Sequence, residues 1–171
     1  MTPLDLFTAG SAEISDCGRY RYSLVRAWNL ERRRHRVAWV MLNPSTADAS
    51  HDDATLKACL DFSRRWRAGS LEVVNLFAYR SFQPDDLLTV DDPVGPDNEQ
   101  YVYEACHTAN LVVFAWGAWP THHPNVRGVD AVRIAWQLGK APLCVGLTAG
   151  GQPRHPLYMK RDTPLAKWSP P

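Results

Sequence analysis

Four short apolar runs, rich in β-branched and aromatic residues, recur along the chain: "VAWVML" at 37–42, "LEVVNLF" at 71–77, "LVVFAW" at 111–116 and "PLCVGL" at 142–147. Each is too short for a buried helix and long enough for a buried strand. Between them apolar residues recur at helical spacing, every three to four positions. In 54–67, Leu56, Cys59, Leu60, Ser63 and Trp66 share one helical face, with Asp53 placed to cap the first turn. In 96–109, Val102, Ala105 and Ala109 repeat behind Pro96, a residue suited to a first helical turn. In 127–138, Val129, Val132, Ala135, Trp136 and Leu138 do the same. Strands that alternate with helices require right-handed crossovers, hence a mostly parallel central sheet covered on both faces. The expected architecture is a three-layer α/β/α domain spanning 1–171.

The front of the chain breaks this pattern. In "RYRYSLVRAW", Tyr20, Tyr22 and Leu24 alternate with Arg19, Arg21 and Ser23, the period of a half-exposed strand. Residues 19–36 are therefore expected to form an antiparallel edge strand and a basic turn ("ERRRHR"), and 164–171 a Pro-rich tail. A length of 171 residues suits one domain with a real core. The net charge of +1 supplies no global field towards nucleic acid or an acidic membrane, although it allows a local basic patch. No apolar run approaches a membrane span, and "MTPLDLFTAGSAEIS" lacks the basic-then-apolar order of a secretory signal, so a cytoplasmic location is expected. Cys17, Cys59, Cys106 and Cys144 contain no Cys-x-x-Cys pair and read as reduced thiols in or near the core.

In open parallel sheets ligands bind beyond the carboxyl ends of the strands. The exits here are chemically loaded: "NPSTADASHDD", "NLFAYRS", "GAWPTHHP" and "TAGGQPRHPLY". An Asn-Pro turn after the first strand, an Asn inside the second, a "VVFAWG" third strand and a late "RHPLY" follow in one order. That order resembles the uracil-DNA glycosylase superfamily, and the wording "MLNPSTAD … NLFAYR … PRHPLY" is similar to an uncharacterised bacterial and phage family. The resemblance implies a Rossmann-like, glycosylase-like fold that hydrolyses the N-glycosidic bond of a base or nucleotide. It implies that Asn43 positions the attacking water on a turn shaped by Pro44, that Asn75 reads the base edge, and that His155 stabilises the departing base on a loop fixed by Pro156. Leu157 would be the wedge that enters a DNA stack. The pattern also departs from the superfamily. Ser45-Thr46 follows the Asn-Pro pair where Gly or Tyr is usual, and His155-Pro156 continues into Leu157-Tyr158 rather than Ser.

Residue chemistry bears on these roles independently. An amide orients a water without being a strong base, and one preorganised donor to a developing anion is worth about 3 kcal/mol. If a true base is needed, Asp48 is the nearest carboxylate, while Asp52 and Asp53 suit the start of the following helix. Ser45, Phe77, Tyr79, Arg80, Trp116 and Arg154 complete the candidate binding set, with Lys160 and Arg161 as possible extensions of a phosphate-binding patch. Asn43-Pro44 is also readable as an ordinary strand-ending Asx turn, and Asn75 as an amide satisfied by neighbouring backbone. His122-His123 reads as a solvent loop rather than a zinc motif. No metal or cofactor is expected, and DNA or a free nucleotide or base is the expected partner. The alternatives are a non-catalytic nucleic-acid or nucleotide-binding module with the same pocket, and a hydrolase or transferase acting on free nucleosides.

Overall fold

The computed structural model describes residues 9–29, 31–32, 35–45, 47–118 and 127–170. Seven strands form one sheet: β1 (Ala9–Ile14), β2 (Arg21–Ala27), β3 (Arg36–Met41), β4 (Ser70–Asn75), β5 (Leu111–Phe114), β6 (Pro142–Cys144) and β7 (Ala166–Lys167), in the order β1-β2-β4-β3-β5-β6-β7. The central strands β4, β3, β5 and β6 run parallel, while β1, β2 and β7 are antiparallel to their neighbours. The sheet is therefore mixed rather than mostly parallel. Three helices accompany it: α1 (Ala54–Arg65), α2 (Asn98–Thr108) and α3 (Arg127–Gln137).

Strand pleating divides the core in two. In β3, Val37, Trp39 and Met41 pack with Leu56, Cys59, Leu60 and Phe62 of α1. The intervening Ala38, Val40 and the following Leu42 pack with Val102 and Ala105 of α2 and Val132 and Ala135 of α3. Both faces of β3 are thus buried, which is why its sequence is continuously apolar. Asp53 caps α1 as its spacing predicts, its carboxylate accepting from the Leu56 amide at 2.7 Å. Pro96 differs, lying ahead of the Asp97 cap rather than in the first turn of α2. On α3, Trp136 stays half-exposed although its spacing assigns it to the apolar face.

Two flanking segments depart from the sequence reading. The strand expected at the edge, β2, is internal, because β1 pairs along its outer side. Arg21 and Ser23 are consequently buried, not half-exposed. β1 itself ("AGSAEI") carries no alternating apolar pattern that would mark a strand. The register of β1 against β2 shifts where Glu13 faces Ser23 but Ile14 faces Arg21, leaving Tyr22 as an extra residue. This bulge reverses the alternation of β2. Tyr22 stacks on Tyr101 of α2 and Ser23 bonds Glu72, whereas Leu24 packs on the α1 side.

The Pro-rich tail is likewise part of the fold. β7 adds to β6, and Trp168 is buried against Phe114 and Trp116, with its indole N–H donating to the Gly151 carbonyl at 2.9 Å. No helix among the described residues is long and apolar enough to cross a membrane. Of the cysteines, Cys59, Cys106 and Cys144 are buried and free, and Cys17 is exposed. Replacing Trp168 by Ala should cost about 3–5 kcal/mol of unfolding free energy in urea titration, the range for a buried aromatic. A loss under about 1 kcal/mol would return 164–170 to the status of a tail.

Candidate functional site

Among the parallel strands, β3 comes first in the chain and its successors lie on opposite sides of it, β4 on one and β5 on the other. The helix after β3 covers one face and those after β4 and β5 the other, so their connections part above the C-terminal ends of β3 and β5. That divergence leaves a crevice at the strand ends. A cavity of about 430 Å³ occupies it.

The lining brings together residues far apart in sequence: Asn43, Ser45, Asn75, Trp116, His155 and Leu157 all face this one cavity. Pleating explains the two amides. Asn43 continues the Val37–Trp39–Met41 face of β3, and Asn75 continues the Leu71–Val73 face of β4, both on the α1 side. The β3–β4 register sets Met41 beside Asn75, so the amides emerge at the same height.

Asn43 does not make an ordinary turn. Its Nδ2 donates to the Ser81 carbonyl at 2.9 Å, across 38 residues, and to its neighbour Pro44 at 3.3 Å. Pro44 and Ser81 are joined again through the backbone, the Ser81 amide donating to the Pro44 carbonyl at 3.0 Å. The strand-three exit is thereby stitched to the strand-four exit. With Nδ2 engaged, the side-chain atom that Asn43 has left to offer is Oδ1, an acceptor.

Asn75 is the complementary case. It is 1% exposed, and its Nδ2 has no hydrogen-bond partner. Leaving such a donor unpaired costs about 1–3 kcal/mol, which a ligand acceptor would recover. Its backbone carbonyl is held by Asn98 Nδ2 at 2.9 Å, from the first turn of α2.

His155 is positioned by a clamp between loops. The Gly117 amide donates to the Pro153 carbonyl at 2.8 Å, and the Trp116 indole N–H donates to Gln152 Oε1 at 3.0 Å. Gly117 adopts φ 86°, a left-handed conformation suited to glycine, with His155 packed against it. The Leu157 amide donates to His155 Nδ1 at 3.3 Å. The neutral ring therefore carries its proton on Nε2 as a donor. Burial lowers the imidazole pKa below its usual value, partly opposed by the carboxylate of Asp53.

Other expectations are relocated. Asp48 does not line the cavity. Its Oδ1 closes an exposed turn, accepting from the Ser50 and His51 amides at 2.8 and 2.9 Å, and these bonds hold its pKa well below the usual carboxylate range. The carboxylate at the cavity is Asp53, which the sequence favours as a helix cap over a catalytic group: one oxygen caps α1 and the other accepts from Ser45 Oγ at 2.6 Å. Phe77 is fully buried on the α2 side, and Tyr79 packs in the Tyr20–Tyr22 cluster, so neither ring reaches the lining. Arg80 reaches the Gly18 carbonyl at 3.2 Å, and Arg161 is spent on the Pro156 and Met159 carbonyls and on Asp61. Pro44 and Pro156 shape their loops without lining the cavity. Arg154 lines an adjoining hollow of about 280 Å³ that shares Gly117, Ala118, His155 and Tyr158 with the first. Thr46, His122 and His123 lie outside the described residues, as does Trp119, which with Trp116 is read from the sequence as a candidate wall for a flat ligand. Among those described, no group of three or more His, Cys, Asp or Glu residues is arranged to hold a metal.

The lining also contains residues that sequence reading missed. Phe82 and Tyr158 stand 77% and 75% exposed beside the cavity, and Arg21 lies buried within its wall. Phe82 directly follows the strand-four exit, the one signal that marked it.

The chain matches a protein family over residues 21–157, a span that holds β2 to β6 and every cavity-lining position except Tyr158. It belongs to that family, DUF1643, described as a protein of unknown function. The match carries no link to the uracil-DNA glycosylase superfamily. No curated protein and no solved structure matches the chain.

The His155 tautomer yields a pH prediction. Because its folded pKa is depressed, the native state resists protonation. His155 thus contributes stability that is present above its unfolded pKa of about 6.5 and is lost as pH falls through the lower folded value. Unfolding titrations of the wild type and His155→Gln should diverge below pH ~6.5, the wild type falling more steeply. Parallel curves would show that the ring is not held neutral.

Proposed function

We propose that the cavity takes a planar heterocycle from a nucleoside, nucleotide or nucleic-acid strand and hydrolyses its bond to the sugar. The observation that carries this reading is the convergence of Asn43, Asn75 and His155 on one 430 Å³ space at the sheet's switch point. The motif order that resembles the glycosylase superfamily supports it from the sequence. Asn75 Nδ2 donates to an acceptor on the base edge. Asn43 Oδ1 accepts a hydrogen bond from a water and aims it at the anomeric carbon. His155 Nε2–H donates to the base as it leaves. The water oxygen bonds to the anomeric carbon, the carbon–nitrogen bond breaks with its electron pair going to the base, and the water's proton neutralises the departing anion. Phe82 and Tyr158 at the mouth offer exposed ring faces on which a neighbouring base can stack.

A second reading, binding without turnover, is favoured by one specific observation. Asp53, the carboxylate among the described cavity-lining residues, already accepts a hydrogen bond on each oxygen, from the Leu56 amide and from Ser45, so its place at the α1 cap competes with service as a base beside Asn43.

Incubation with oligonucleotides and free nucleosides carrying modified bases separates the two. Release of free base by the wild type, lost in Asn43→Ala with binding retained, is the expected result, and His155→Ala should slow release by about a hundredfold. Retarded but intact substrate under every condition would leave binding alone. Loss of binding and release together in a folded Asn43→Ala protein would remove its water-positioning role.

A further inference from the structure

Arg21 stands apart from the other arginines of the sheet. Arg26, on the same strand, pairs with Asp52 at 2.8 Å, and Arg36 pairs with Glu72 at 3.0 Å. Arg21 is 4% exposed, yet among the described residues it makes no ion pair. Its guanidinium has one hydrogen bond, from Nη1 to the Ala47 carbonyl, and its buried Nε has none. Guanidinium groups are seldom buried without a counter-charge, because the desolvated cation is left uncompensated.

The β2 bulge is what places it there. Strict alternation would send Arg21 to the α2 side with Ser23. With Tyr22 as the extra residue, it turns instead to the α1 side and into the wall of the cavity. Arg21 opens β2 and Asn75 ends β4, and the two strands are antiparallel neighbours, so both unpaired donors sit at one end of the sheet. The charges facing Arg21 are those of Asp53 at the α1 cap, Asp48 on the preceding loop, Arg26 on β2 and Arg80 beyond β4. Asp53 is the acidic group among them that lines the cavity; its oxygens accept from the Leu56 amide and Ser45, and it forms no ion pair with Arg21. Burial lowers the guanidinium pKa to about 10, which leaves it charged at neutral pH.

We infer that the cavity is an anion-selective site whose occupant carries an oxyanion, a phosphate or carboxylate, seated on the Arg21 guanidinium. The inference rests on the cavity of the proposed function but not on catalysis. It calls for a nucleotide or an acidic heterocycle rather than a neutral nucleoside.

Matched probes test it by calorimetry on the full chain at constant ionic strength. Uridine 5′-monophosphate and uridine differ by a phosphate; nicotinate and nicotinamide differ by a carboxylate. The anionic member of at least one pair should bind at least about tenfold tighter to the wild type, and Arg21→Gln should abolish that margin. Which pair responds identifies the oxyanion. Equal affinities within both pairs would overturn the inference without any variant, as would a margin that survives in Arg21→Gln. If Arg21→Gln does not fold, the wild-type comparison decides together with Arg21→Lys, which retains the charge but lacks the guanidinium fork and should narrow the margin. Base release has no part in these measurements, so failure of the hydrolytic reading and failure of this one are distinguishable.

Discussion

The parallel pairing of β3 with β4 is the constraint on which the site depends. It sets Met41 against Asn75 and continues one step beyond the strands, where the Leu76 and Phe77 amides donate to the Met41 and Leu42 carbonyls at 2.9 and 3.0 Å. A shift of one residue in either strand would turn its amide away from α1 and into the α2 core. The register is held by burial on both faces. Trp39 stacks with Trp66 and donates its indole N–H to Ser63 on one side, while Val40 and Val74 pack beneath α2 and α3 on the other.

Around that pair, the loops are fastened by polar contacts of long sequence range. Arg26 grips the loop after β3 through the Asp48 carbonyl and Asp52, Asn43 ties that loop to Ser81, and the Gly117–Pro153 bond closes the last loop over the crevice. The cavity is thus bordered by loops fastened through hydrogen bonds and floored by packed strand and helix residues such as Met41, Val73 and Leu56. The lining accordingly joins an apolar wall to a few polar groups whose donors are left for a ligand.

Much of the fold was legible in local periodicity. The four apolar runs and three helical faces appear within a few residues of their expected places, because each buries its side chains on a fixed spacing. What periodicity missed has no such spacing. β1 is assembled mostly from small and polar residues, of which Ala12 packs on the core, and β7 is two residues whose neighbour Trp168 supplies the anchoring. Sequence ranks Asp48 ahead of Asp53 by its nearness to the Asn-Pro turn, and the structure reverses that order. The choice is made by where the loop folds back: Asp48 bonds to its own turn, while Asp53 is delivered to the cavity by the helix it caps.

The sequence by itself determined an α/β chain, the strands that form the sheet's centre, and which face of each carries Asn43 and Asn75, since pleating and helical period are local properties. Tertiary structure alone decided that His155 joins those amides, that Phe82 and Tyr158 flank the opening, and that a bulge turns Arg21 inward. The bulge depends on how β1 pairs with β2, and His155 on loop contacts far away in the chain, and neither leaves a spacing in the sequence to read.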